Sequence, residues 1–185
     1  SLDMCRLGSI LARESKSLFR GPPVTGMLIQ NVNPADVVPD TRAVRNGLAR
    51  EDLFLCVHEQ FMTETAEMAD VVLPATTFLE HDDCYSAGGH TFFQIAKAVV
   101  PPLGECRSNH WVIQQLAMRL EAKHKGFLKS EWELITDMLK KSGYQEKIPL
   151  EEKSFEIDLD LGFEKMHFLD GFGHEDRKFH FRADW

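Results

Sequence analysis

At 185 residues the chain has the length of one α/β domain and enough material to bury a core, while its net charge of -8 argues against a nucleic-acid backbone or an anionic membrane as main partner. No run approaches the roughly 20 apolar residues of a membrane span, and the opening SLDMCRLG lacks the apolar core of a signal peptide, so a soluble chain is expected. Cys5, Cys56, Cys84 and Cys106 show no C-x-x-C spacing; this signals neither a zinc site nor an iron–sulfur cluster and reads as free thiols, with disulfides the alternative for a secreted chain.

The stretch GMLIQN at 26–31, preceded by the breaker GPP, reads as a buried strand. Prolines at 34 and 39 forbid a long helix in NPADVVPD, after which Asp40 can cap TRAVRNGLA. LFLCVHE at 53–59 is a near-continuous apolar run of the kind found when both faces of a parallel strand are covered. Thr63 or Thr65 can cap a short helix through Ala69, and DVVLPA supplies a third strand. Strand, helix, strand, helix, strand with right-handed crossovers predicts a Rossmann-like parallel sheet with helices on both faces.

FFQIAKAVV at 92–100 is a strand or an extended arm, and PPLGE is a loop. Ser108 or Asn109 opens an amphipathic helix in which Val112, Leu116 and Leu120 recur at helical spacing. Ser130 with Glu133 forms a capping box for a further helix ending near Gly143. Residues 145–185 alternate charged and aromatic residues and are expected to be extended. The organisation expected is an α/β domain over 1–143 and an extended C-terminal segment, 144–185, packed on it or on domains outside this chain. Ser1 in place of an initiator Met and the strand-like KFHFRADW ending at Trp185 lean towards a piece of a longer chain.

In open parallel sheets ligands bind beyond the carboxyl ends of the strands. Here those ends carry Asn31 and Asn33, then His58, Glu59, Gln60 and Thr63, then Thr76, Thr77, Glu80 and His81. Carboxylates suit ribose hydroxyls or purine N–H donors, and amides suit base edges or phosphate. Each residue also has a plainer reading: Asn33 shapes a turn, Thr63 caps a helix, Glu59 is solvated, and His58 and His81 are hydrogen-bonded within the protein. No G-x-S-x-G, P-loop, G-x-G-x-x-G or H-E-x-x-H pattern occurs, and Glu80, Asp82 and Asp83 read as a solvated turn, so no catalytic set or metal site is expected from this chain.

The series NVNPADVVPDTRAVRNGLAREDLFLCVHEQFMTETAEMADVVLPATTFLEHDD, followed by GGH, PPLGE and HWVIQQLAMRL, resembles a central α/β domain of the molybdopterin oxidoreductases of the dimethyl sulfoxide reductase type. The likeness runs over about residues 22–122. It implies a bis-molybdopterin guanine dinucleotide cofactor with molybdenum or tungsten, held between this domain and others of the same polypeptide, among them an iron–sulfur segment and a C-terminal pterin-binding β domain. By position it implies that Asn33, His58 and Glu59, Thr63, His81 and Asn109 face the guanine nucleotide, and Asn31 joins them as a cofactor-binding candidate from its place at the first strand end. Glu59 and Asn109 stand where many relatives carry Asp, and where His81 stands relatives vary between Lys and other residues. The chain alone would then be catalytically inert, in cytoplasm or periplasm, with the cytoplasm the simpler expectation. Two other readings are an independent guanine-nucleotide module and a structural scaffold without molybdenum.

Overall fold

The computed structural model describes residues 2–14, 16–88, 90–144, 146, 154–159 and 162–181. Its architecture is mixed α/β, with one three-stranded parallel sheet and one three-stranded antiparallel sheet. The chain divides into two compact units, Ser1–Asp82 with Ala98–Leu134, and Asp83–Lys97 with Ile135–Trp185.

The first unit holds the parallel sheet, in which β1 (Gly26–Gln30), β2 (Phe54–Glu59) and β3 (Val71–Pro74) lie in the order β1-β2-β3. Gln30 stands beside His58, and His58 beside Leu73, so the polar strand ends share one edge. Helix α1 (Leu7–Leu11) precedes the sheet, while α2 (Pro34–Val37) and α3 (Thr41–Leu48) link β1 to β2. Helix α4 (Glu64–Glu67) fills the short crossover to β3. The expected caps form: the Asp40 carboxylate accepts from the Ala43 N–H at 3.1 Å, and the Thr63 hydroxyl from the Ala66 N–H at 3.2 Å.

Helix α5 (Asn109–Arg119) is capped by Ser108, whose hydroxyl accepts from the Trp111 N–H at 3.2 Å. Ahead of α6 (Glu131–Lys141) the capping box closes both ways: Glu133 accepts from the Ser130 N–H at 2.8 Å, and the Glu133 N–H donates back to the Ser130 hydroxyl at 3.3 Å.

Leu11, Ile29, Val44, Leu48, Leu55 and Val57 form the core between the parallel sheet and its helices. Their burial supplies the main driving force for this unit, at about 1.5–3 kcal/mol for each large aliphatic side chain taken from water. Gly47 on α3 lets α1 approach closely, because a Cβ at that position would lie 2.3 Å from Cβ of Leu11.

In the second unit β4 (Asp83–Ser86), β5 (Phe92–Ala96) and β6 (Ser154–Asp158) form an antiparallel sheet with β5 central. This corrects the expectation of a wholly extended C-terminal segment. Phe155 pairs with Ile95, and Ile157 with Phe93, so alternate residues of β6 bury against β5. A single helical turn, α7 (Phe163–Met166), follows. The parts of the expected extended segment at 145, 147–153, 160, 161 and 182–185 lie outside the described residues.

Alanine ordinarily gains about 1 kcal/mol over glycine inside a helix. At position 47 the clash with Leu11 reverses that sign: Gly47→Ala is expected to destabilise the chain by about 1–3 kcal/mol, read as a lower urea midpoint at unchanged slope.

Candidate functional site

The carboxyl edge of the parallel sheet is built from side chains that mostly bond to one another. Just after β1, Asn31 takes the left-handed conformation at φ 51°, which Asn tolerates better than most residues. Its N–H donates to the His58 carbonyl at 3.0 Å, and the residue is exposed. Asn33 is committed inward: its Oδ1 accepts from the Thr65 N–H at 3.2 Å and the Thr65 hydroxyl at 2.6 Å, while its Nδ2 donates to Glu64 at 2.7 Å. Thr65 is fully buried and accepts in turn from the Ala35 N–H at 3.1 Å. The β1–α2 turn and the start of α4 are thereby tied together.

At the end of β2 His58 is wholly buried, with 0% of its surface exposed. Its Nδ1 lies 3.1 Å from the Gln30 amide nitrogen and its Nε2 3.0 Å from the Arg107 carbonyl oxygen. Glu59 beside it is half-buried, and one carboxylate oxygen accepts from the Gln60 N–H at 2.7 Å. A carboxylate has room for several further donors. Thr63 spends its hydroxyl on the α4 cap. Glu64 is held below the ordinary carboxylate range by its own backbone N–H, then by the Asn33 amide, with a smaller contribution from the charge of Arg45.

Beyond β3 the buried Thr76 hydroxyl meets Nδ1 of His81 at 2.8 Å. Glu80 clamps two loops, accepting from the Thr77 N–H and the Leu103 N–H at 2.7 Å each. Those bonds, Thr77 first, pull its pKa below the usual value. Asp82 similarly accepts from the Ala98 N–H at 2.8 Å. The solvated turn read from the sequence therefore contains two carboxylates that fix loop geometry. Beside it a cleft of about 300 Å³ is lined by Thr76, His81, Arg107, Ser108, Trp111 and Gln114, with the Arg107 guanidinium 5.5 Å from the Trp111 ring centre.

Asn109 opens α5 with an exposed side chain, and its carbonyl oxygen lies 3.4 Å from the Gln30 amide nitrogen. Of the seven residues singled out from the sequence, Asn31, Glu59 and Asn109 keep surface towards solvent with acceptor or donor capacity to offer. Asn33, Thr63 and His81 bond within the protein, and His58 is enclosed. Gln30, Arg107 and Trp111 were missed. Gln30 had a signal, as the polar residue ending an apolar strand; Arg107 and Trp111 had none, since only the folded chain brings Arg107 beside Pro74 and Thr76 and both residues into one cleft. Among the described residues no three His, Cys, Asp or Glu side chains group as metal ligands, and no helix is long and apolar enough to cross a membrane.

The sequence model of the molybdopterin oxidoreductases matches residues 12–119, which takes in the whole parallel sheet and α5. The chain belongs to the molybdopterin oxidoreductase family. Among its relatives in that family, the probable oxidoreductase YoaE of Bacillus subtilis (strain 168) is 43% identical over 117 residues, covering 63% of this chain and 16% of that protein. A nitrate reductase of Symbiobacterium thermophilum is 32% identical over 122 residues, covering 64% of this chain and 16% of its own length. The structure of acetylene hydratase from Pelobacter acetylenicus superposes with a TM-score of 0.59 at 25% identity, over 80% of this chain and 20% of that one. The chain spans about a sixth of the length of the curated relatives it matches.

The lowered pKa of Glu80 sets a pH test. A carboxyl depressed in the fold contributes stability that is complete above its ordinary value of 4.5 and lost as pH falls through the folded value. Glu80→Gln is expected to lower the melting temperature at neutral pH, with the gap to the native chain closing as the pH is taken below 4.5. A gap that stays constant down to pH 3, followed by circular dichroism, would speak against the clamp.

Proposed function

We propose that the carboxyl edge of the parallel sheet holds the guanine nucleotide part of a molybdopterin guanine dinucleotide within a larger molybdenum or tungsten oxidoreductase. The observation that carries this reading is that Asn31 after β1, Glu59 at the end of β2 and Asn109 at the start of α5 keep solvent-facing surface beside neighbours whose own polar atoms are already bonded. The donor set fits the ligand: Glu59 accepts from guanine N–H groups, and the two amides donate to or accept from base and ribose edges. Asn33, Thr63, His58 and His81 serve this reading by shaping the wall.

The same reading takes the parallel sheet as Rossmann-like, with its remaining faces covered by other domains of the polypeptide, including an iron–sulfur segment and a C-terminal pterin-binding β domain. When bound, the cofactor supplies the redox chemistry, and this chain supplies binding and orientation, so the isolated chain is inert. The relatives' names span a nitrate reductase and an acetylene hydratase, which supports a platform common to several reactions and a substrate chosen elsewhere.

The test uses the full-length protein carrying this chain, purified without oxygen, with metal analysis and quantitation of GMP released by acid. Molybdenum or tungsten is expected, with GMP in the amount a bis-dinucleotide cofactor carries. Glu59→Gln replaces a charge-assisted acceptor worth about 1.5–3 kcal/mol, so nucleotide retention after dilution should fall about tenfold or more. The exposed Glu51→Gln serves as control. Full metal and nucleotide in a Glu59→Ala, Asn31→Ala double variant would leave a scaffold role; a well-folded parent with neither metal nor GMP would sink the cofactor.

A further inference from the structure

The ring of His58 joins three segments that are distant in sequence. A carbonyl oxygen can only accept, so the 3.0 Å contact to Arg107 requires the proton on Nε2. The Gln30 amide nitrogen can only donate, so at 3.1 Å from Nδ1 it makes that ring nitrogen the acceptor. The second N–H of that amide points to the Asn109 carbonyl at 3.4 Å. Arg107 itself runs beside β3: its N–H donates to the Pro74 carbonyl and its carbonyl accepts from the Thr76 N–H, both at 3.1 Å, in a parallel bridge centred on Ala75. One isolated bridge between segments 32 residues apart is a weak tie, since loop closure must be offset by few contacts. The Gln30–His58 pair adds two bonds from inside the sheet.

We infer that His58 is a positioning residue: as a buried strut of fixed tautomer it holds the Arg107–Asn109 segment, and with it the start of α5, against the ends of β1 and β3. It does so without touching ligand, for none of its surface is exposed. The inference rests on the proposed nucleotide site in one respect only, that Asn109 is a contact residue.

Hydrogen exchange on the 185-residue chain tests the strut directly. His58→Leu keeps an apolar side chain in the cavity and removes both bonds. Amide exchange at Thr76, Arg107 and the first turn of α5 should speed up at least tenfold, while the amides of Ile29 and Val44 in the core stay within about twofold. His58→Gln, which can again accept from Gln30 and donate to Arg107, should restore most of the protection. Gln30→Ala, a half-buried site less prone to unfold the chain, should produce a smaller acceleration at the same amides. Uniform acceleration across the sheet, or none at Thr76 and Arg107 in any of the three variants, overturns the strut. In the full-length protein GMP retention should fall with His58→Leu and recover with His58→Gln; retention unchanged by His58→Leu also overturns the positioning role. A parent without GMP sinks the nucleotide reading alone, and the exchange pattern then decides the strut by itself.

Discussion

Parallel pairing sends the carboxyl ends of all three strands of the first unit to one edge, and the arrangement of that edge follows from this constraint. A polar group buried at a strand end without a partner costs about 1–3 kcal/mol. The chain answers with side chains that bond to each other and to backbone: Gln30 to His58, His58 to Arg107, Asn33 to Thr65, and Thr76 to His81. Loops that would otherwise diverge from the strand ends are stitched back to the sheet.

A division of roles follows from that accounting. Residues whose polar atoms are used up inside the protein set geometry, whereas Asn31, Glu59 and Asn109 retain capacity for something else. The bonds of the first group fix the backbone from which the second group projects. Carboxylates work on both sides of this division: Glu80 and Asp82 hold loops through backbone N–H groups, while Glu59 keeps acceptor capacity at the edge.

The local elements of the first unit were legible because each carries its own signal. Apolar runs ended by polar residues marked β1 and β2, and Asp40, Thr63, Ser108 and the Ser130–Glu133 box announced helix starts that the fold uses. The short α1 passed unread, since five residues ending before Ala12 make too little periodicity to stand out. Strand β6 was missed although Phe155 and Ile157 alternate with polar neighbours, because five residues in a stretch rich in charge and aromatics look like an arm until a partner strand appears.

The sequence by itself determined the parallel strand-and-helix order, the helix caps, the family, and the list of polar residues at the strand ends, because all of these are properties of local pattern and motif. Only the tertiary structure decided which of those residues face outward. His58 and Glu59 are neighbours in sequence, yet one is sealed by Gln30 and by Arg107, 49 residues away, while the other stays open to donors. The pairing of β5 with β6 and the bridge at Ala75 belong to the same class. Period and capping are written within a few residues, but a contact between distant segments exists only once the loops between them have closed.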